Sequence, residues 1–144
     1  MYSPPRFLSL ALLSEVLSEF EWPTPFTVAD WLPDGIEVAF ADCVLLFIEG
    51  FEGQMNLEIS SPSAGIEEPI GLRRVLHTLR ESGNLPANEV SLINDVASAA
   101  SPEKVKNGIR DLCRLVLAYL EGAVRGDQSW ASCYKSASEQ SGGG

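Results

Sequence analysis

Along residues 36–60 the apolar side chains recur with a period of two, and beyond residue 69 they recur with a period near 3.6. That change of period is the strongest constraint on what this 144-residue chain can fold into. Ile36, Val38 and Phe40 alternate with Glu37, Ala39 and Ala41, and Met55, Leu57 and Ile59 alternate with Asn56, Glu58 and Ser60. Successive side chains of a strand point to opposite faces, so each segment predicts a half-buried strand. Between them, residues 43–48 (Cys-Val-Leu-Leu-Phe-Ile) are continuously apolar, which predicts a central strand covered on both faces. Asp42 on one side and Glu49-Gly50-Phe51-Glu52-Gly53 on the other are too short for crossovers, so the strands are expected to form an antiparallel meander. Residues 26–32 fit either a short strand or one helical turn, followed by a Pro33-Asp34-Gly35 turn. Residues 61–68 are expected to be a polar loop.

Helices are expected on both sides of the meander. Ser3-Pro4-Pro5 can open the first, because Ser can cap and proline is tolerated in a first turn. Phe7, Leu10, Leu13, Leu17 and Phe20 give it an apolar stripe that ends before Pro23 and Pro25. Leu72, Val75, Leu76 and Leu79 mark a second helix, from near Pro69 to Gly83. Residues 84–100 favour a helix through Val90, Ile93 and Ala97, although residues 89–93 alone also fit a strand. Ser101-Pro102-Glu103 is a strong helix start, and Val105, Ile109, Leu112, Val116 and Leu120 carry that helix to near Gly126. Trp130 and Tyr134 suggest a short packed extension. Residues 136–144 are Ser/Gly-rich with few apolar groups, so a disordered tail is expected there. The expectation is one α+β domain over residues 1–135: a three- or four-stranded antiparallel meander packed against an N-terminal helix and C-terminal helices.

Charge is distributed as unevenly as the periodicity. Residues 1–68 hold one cation and twelve acids, a net of −11, whereas residues 69–144 hold nine cations and eight acids. Phosphate binding needs clustered Lys and Arg, so nucleic acid and anionic membrane surfaces are not the expected partners. The N-terminal apolar run is interrupted at Ser14-Glu15 and is far shorter than the roughly 20 residues needed to span a bilayer. Cys43, Cys113 and Cys133 show no CxxC pairing, and Cys43 and Cys113 fall inside apolar patterns as small core residues would. A reducing, cytoplasmic setting is the expectation.

Catalytic and cofactor patterns are not evident. His77 is the single histidine, and one histidine without a Cys or second His at ligand spacing does not make a metal site. Gly50 and Gly53 are flanked by Glu49 and Glu52, which would repel a phosphate, and no Gly-Lys-Ser/Thr follows. The expectation is therefore a non-enzymatic binding protein without cofactor or metal. An acidic surface attracts a basic protein partner and speeds encounter. Glu37, Glu49, Phe51, Glu52 and Glu58 are the candidate partner-binding residues; Phe51 stands out as an aromatic at a loop tip among acids. A merely solvated acidic surface is the competing explanation.

In size, charge and layout the chain resembles the small acidic immunity proteins of bacterial toxin–immunity systems. The resemblance is carried by the leading helix, by the acidic meander from Gly35-Ile36-Glu37-Val38 through Gln54-Met55-Asn56-Leu57-Glu58, and by a helical second half closing with Tyr119-Leu120-Glu121 and Gly126-Asp127-Gln128-Ser129-Trp130. It spans most of the chain and implies inhibition by occlusion, in which an acidic edge covers the substrate site of a basic toxin. No catalytic residue carries over. A second family with a similar layout is the type III secretion chaperones, small acidic α+β proteins that hold an effector segment extended. Those place two further strands between the later helices, where here only residues 89–93 could supply one.

Overall fold

A computed structural model describes residues 7–32, 35–50, 53–81 and 101–142. The protein is α+β. Five strands, β1 (Thr27–Leu32), β2 (Gly35–Ala39), β3 (Val44–Glu49), β4 (Met55–Ser61) and β5 (Ile66–Gly71), form one antiparallel sheet in the order β1-β2-β3-β4-β5. Helix α1 (Leu10–Leu17) precedes the sheet; α2 (Leu72–Glu81), α3 (Pro102–Tyr119), α4 (Glu121–Val124) and α5 (Ser129–Gly142) follow it.

The sheet is one or two strands larger than the periodicity implied. Residues 27–32 resolve their ambiguity as β1, paired through Val28↔Val38 and Ala29↔Glu37. The second addition is β5, which lies where a polar loop and then a helix start were expected. Gly65, at φ +85°, turns the chain out of a 3-10 turn (Pro62–Ala64) into β5. Pro69 then sits in an edge strand, where its missing N–H costs no ladder bond, and α2 begins only at Leu72.

Helix α1 starts later than expected. Ser9, not Ser3, is its cap: the Ser9 hydroxyl accepts from the Leu12 N–H at 3.1 Å. The buried face is Leu12, Leu13, Val16 and Leu17, while Leu10 is 43% exposed. Helix α3 follows the sequence closely. Ser101 accepts from the Lys104 N–H at 3.1 Å, and Val105, Ile109, Leu112, Cys113 and Val116 are buried. At Gly108 an added Cβ would lie 2.9 Å from the Met55 Cβ, so glycine lets α3 approach β4 closely. The expected continuation to Gly126 is broken: Leu120 leaves helical geometry at φ −127°, α4 is one turn, and Gly126 ends it at φ +101°.

Helix α5 differs from expectation most. Trp130, Ala131 and Tyr134 anchor it in the core, and it extends through Gly142 into the segment expected to be a disordered tail. Once a first turn is held by packing, adding Ser, Ala, Glu and Gln costs little, because propagation is far cheaper than nucleation. Residues 84–100, left between helix and strand, lie outside the described residues, as do Pro33 and Asp34.

Each of the five described helices contributes buried side chains to one apolar cluster with the inward residues of the sheet, among them Ile36, Val38, Leu45, Phe47, Leu57 and Ile59. Cys43 and Cys113 belong to it, and burial pushes both thiols up to about 12. Both are therefore protonated at neutral pH and serve as core residues.

Candidate functional site

Strand β3 is central in the sheet, but among the described residues helices cover only one of its faces. Its burial alternates: Leu45 and Phe47 are buried, and Val44, Leu46 and Ile48 are half-buried. Residues opposite one another in a sheet share a face, so the pairs Ala29↔Glu37, Glu37↔Leu46, Leu46↔Glu58 and Glu58↔Gly71 trace one row across all five strands. This row lies on the outer face. The half-buried apolar residues packed against the core include Val28 and Ile70 but not Val44, Leu46 or Ile48. Among the described residues, no helix contributes to a second cluster on that side.

The outer face combines an apolar ridge with two acids. Val44, Leu46 and Ile48 run along β3, and Glu37 and Glu58 flank Leu46 on the neighbouring strands. The two glutamates are two strands apart, about 10 Å at ordinary strand spacing. Beyond them the row ends in Ala29 and Gly71, which add no bulk; a Cβ at Gly71 would meet nothing within 4 Å. Gly35 lies against the ridge, where a Cβ would come within 3.2 Å of Leu46 Cδ1 and 3.5 Å of Ile48 Cγ1.

Glu37 and Glu58 are half-buried, and neither has a hydrogen bond or ion pair to a described residue. Several other acids of the protein are engaged. Glu15 pairs with Lys106 at 3.1 Å. Glu19 receives Arg110 through Nε at 2.8 Å and a second nitrogen at 2.9 Å. That hydrogen-bonded guanidinium holds the Glu19 carboxyl below the usual carboxylate range. Arg125 pairs with Glu121, and the Asp127 carboxylate accepts the Ser129 N–H at 2.9 Å, which lowers its pKa.

The five candidate contact residues do not form one patch. Glu37 and Glu58 share the outer face. Glu49 points to the other side, in register with Met55, and its Oε1 accepts the N–H groups of Phe7 at 2.8 Å and Leu8 at 2.6 Å. It ties down the chain leading into α1. Phe51 and Glu52 lie outside the described residues. Sequence reasoning missed Val44, Leu46 and Ile48 because an unbroken apolar run hides its own alternation. The usable signal was in the neighbours: strands on either side each present one polar face, and a strand between them must share it.

A cleft of about 220 Å³ opens on the helical side, lined by Leu79, Tyr119, Leu120, Trp130 and Cys133 among others. Its acid, Asp127, is already engaged with Ser129. His77 is exposed on α2. Among the described residues no group of three or more His, Cys, Asp or Glu side chains is placed to hold a metal ion, and no helix is long and apolar enough to cross a membrane. No protein-family model matches this chain, and comparison with curated proteins and with solved structures gives no match.

Proposed function

We propose that this protein is a non-enzymatic binding protein of the immunity type, which neutralises a basic toxin by laying the outer face of its sheet over the toxin's substrate site. The observation that supports this reading is the pair of half-buried carboxylates, Glu37 and Glu58, which flank Leu46 on a face that no described helix covers and which have no partner among the described residues. A carboxylate partly withdrawn from water loses solvation, and a cation brought by a partner restores it. The apolar ridge supplies the area that a stable complex buries, and the acids supply orientation and encounter rate.

The test is genetic. The product of the gene immediately upstream is expressed in a susceptible host with and without this protein. Rescue of growth that is lost in the folded E37K/E58K double variant supports the proposal. An upstream product that is harmless alone, or rescue untouched by E37K/E58K, overturns it. A harmless secreted product that becomes soluble only beside this protein identifies a secretion chaperone instead.

A further inference from the structure

We infer that the outer face receives a basic amphipathic helix of the partner, laid along β3 with its apolar stripe on Val44, Leu46 and Ile48 and with cations on both of its margins reaching Glu37 and Glu58. The inference rests on the reading of this face as the binding surface and goes further by fixing the shape and charge pattern of what binds.

The argument is one of matching dimensions. From Val44 to Ile48 the ridge covers four residue steps, about 13 Å of strand. About nine residues of helix cover the same length. The ridge is one side chain wide, because the positions beside Leu46 are Glu37 and Glu58. Those acids are about 10 Å apart, close to the width of a helix with its side chains. A helix seated on Leu46 thus has one carboxylate at each margin, where Lys or Arg can cover apolar surface with the stem and place the charge at the rim. The row ends in the small residues Ala29 and Gly71, and at Gly71 an added Cβ would meet nothing within 4 Å, which leaves room there for such a long side chain. An extended segment fits less well. With an apolar residue centred on Leu46, its nearest same-face side chains lie about 7 Å to either side, outside acids that stand about 5 Å away.

The probe is a stapled helical peptide of about 18 residues, long enough to hold helix in water. It carries one leucine stripe with lysines on both margins. Two permutations of the same composition serve as comparisons: one with all lysines on a single margin, and one in which leucine and lysine alternate with period two. Each is titrated into the full-length protein while backbone amide resonances are followed. The two-margin helix is expected to shift the amides of Val44, Leu46 and Ile48, and E37K and E58K are each expected to weaken it about threefold to tenfold. The one-margin helix is expected to respond to only one of those substitutions. If the period-two peptide binds the same amides as tightly, the helix is overturned and the face remains the binding surface. If no peptide moves the β3 amides, the helix is overturned as well. The binding reading then stands or falls on the rescue experiment, which scores the natural partner.

Discussion

Phe47 and Leu46 are neighbours in β3 and belong to opposite worlds. Phe47 is 0% exposed within the apolar cluster that the sheet shares with the helices, whereas Leu46 is half-buried on a face that no described helix covers. The acids divide the same way. On the helical side Glu15, Glu19 and Glu49 each have a partner, and on the open side Glu37 and Glu58 have none among the described residues. The difference shows that the acidity of the first half is not one undifferentiated surface. Part of it fastens α1 to α3 and to β3, whereas Glu37 and Glu58 have no such structural task among the described residues.

Core truncation tests that division most severely. F47A is expected to cost about 3–5 kcal/mol, the range for removing a buried aromatic ring, while L46A is expected to cost under about 1 kcal/mol. Chemical denaturation measures both, and equal losses would mean that the outer face is covered after all. Next in size is the carboxylate that changed sides. E49A removes a charged acceptor from two backbone N–H groups, an expected loss of about 1.5–3 kcal/mol, whereas E37A and E58A are expected to stay within about 0.5 kcal/mol of the parent. A partner-binding defect in E49A without a loss of stability would return Glu49 to the contact surface.

Two glycines give a smaller contrast. G108A pushes a Cβ to 2.9 Å from Met55 Cβ, and the resulting overpacking, about 1–3 kcal/mol, outweighs the roughly 1 kcal/mol of helix propensity that alanine returns. G71A enters open space on the outer face and is expected to be near neutral in the chemical denaturation that registers the loss in G108A. The smallest effect concerns pH. Glu19 has a folded pKa below its unfolded value because of the Arg110 hydrogen bond. Its contribution is therefore present above the unfolded carboxylate pKa and is lost as the pH falls through the lower folded value. The pair is solvent-exposed, so E19Q is expected to flatten the acid limb of the stability profile slightly and leave neutral-pH stability nearly unchanged. A large loss at pH 7 would show that the α1–α3 contact depends on this pair.

The α+β class, the meander from β2 to β4, the Ser101 cap and the buried seam of α3 were legible because each rests on a local rule: alternation, turn chemistry or capping. β5 was not, since Pro69 and the exposed Glu67 and Glu68 look like loop until an edge position makes them acceptable. The late start of α1 was missed because Ser3 and Ser9 are equally good caps locally. What distinguishes them is the Glu49 carboxylate, 41 residues away in sequence from Leu8, which holds the chain before Leu10 in a non-helical course. The length of α5 was missed because composition measures average apolar content, whereas three buried residues at one end suffice to nucleate the helix.

The chain's own pattern of residues established the strand alternation, which sets Glu37 and Glu58 each opposite the apolar positions of its own strand. It also established the concentration of acid in the first half. Both follow from local stereochemistry and counting. Which face the helices cover, where Glu49 points and whether an acid has a partner depend on contacts between segments distant in sequence. No local rule encodes them, because burial and ion pairing are properties of the packed assembly and not of any single strand.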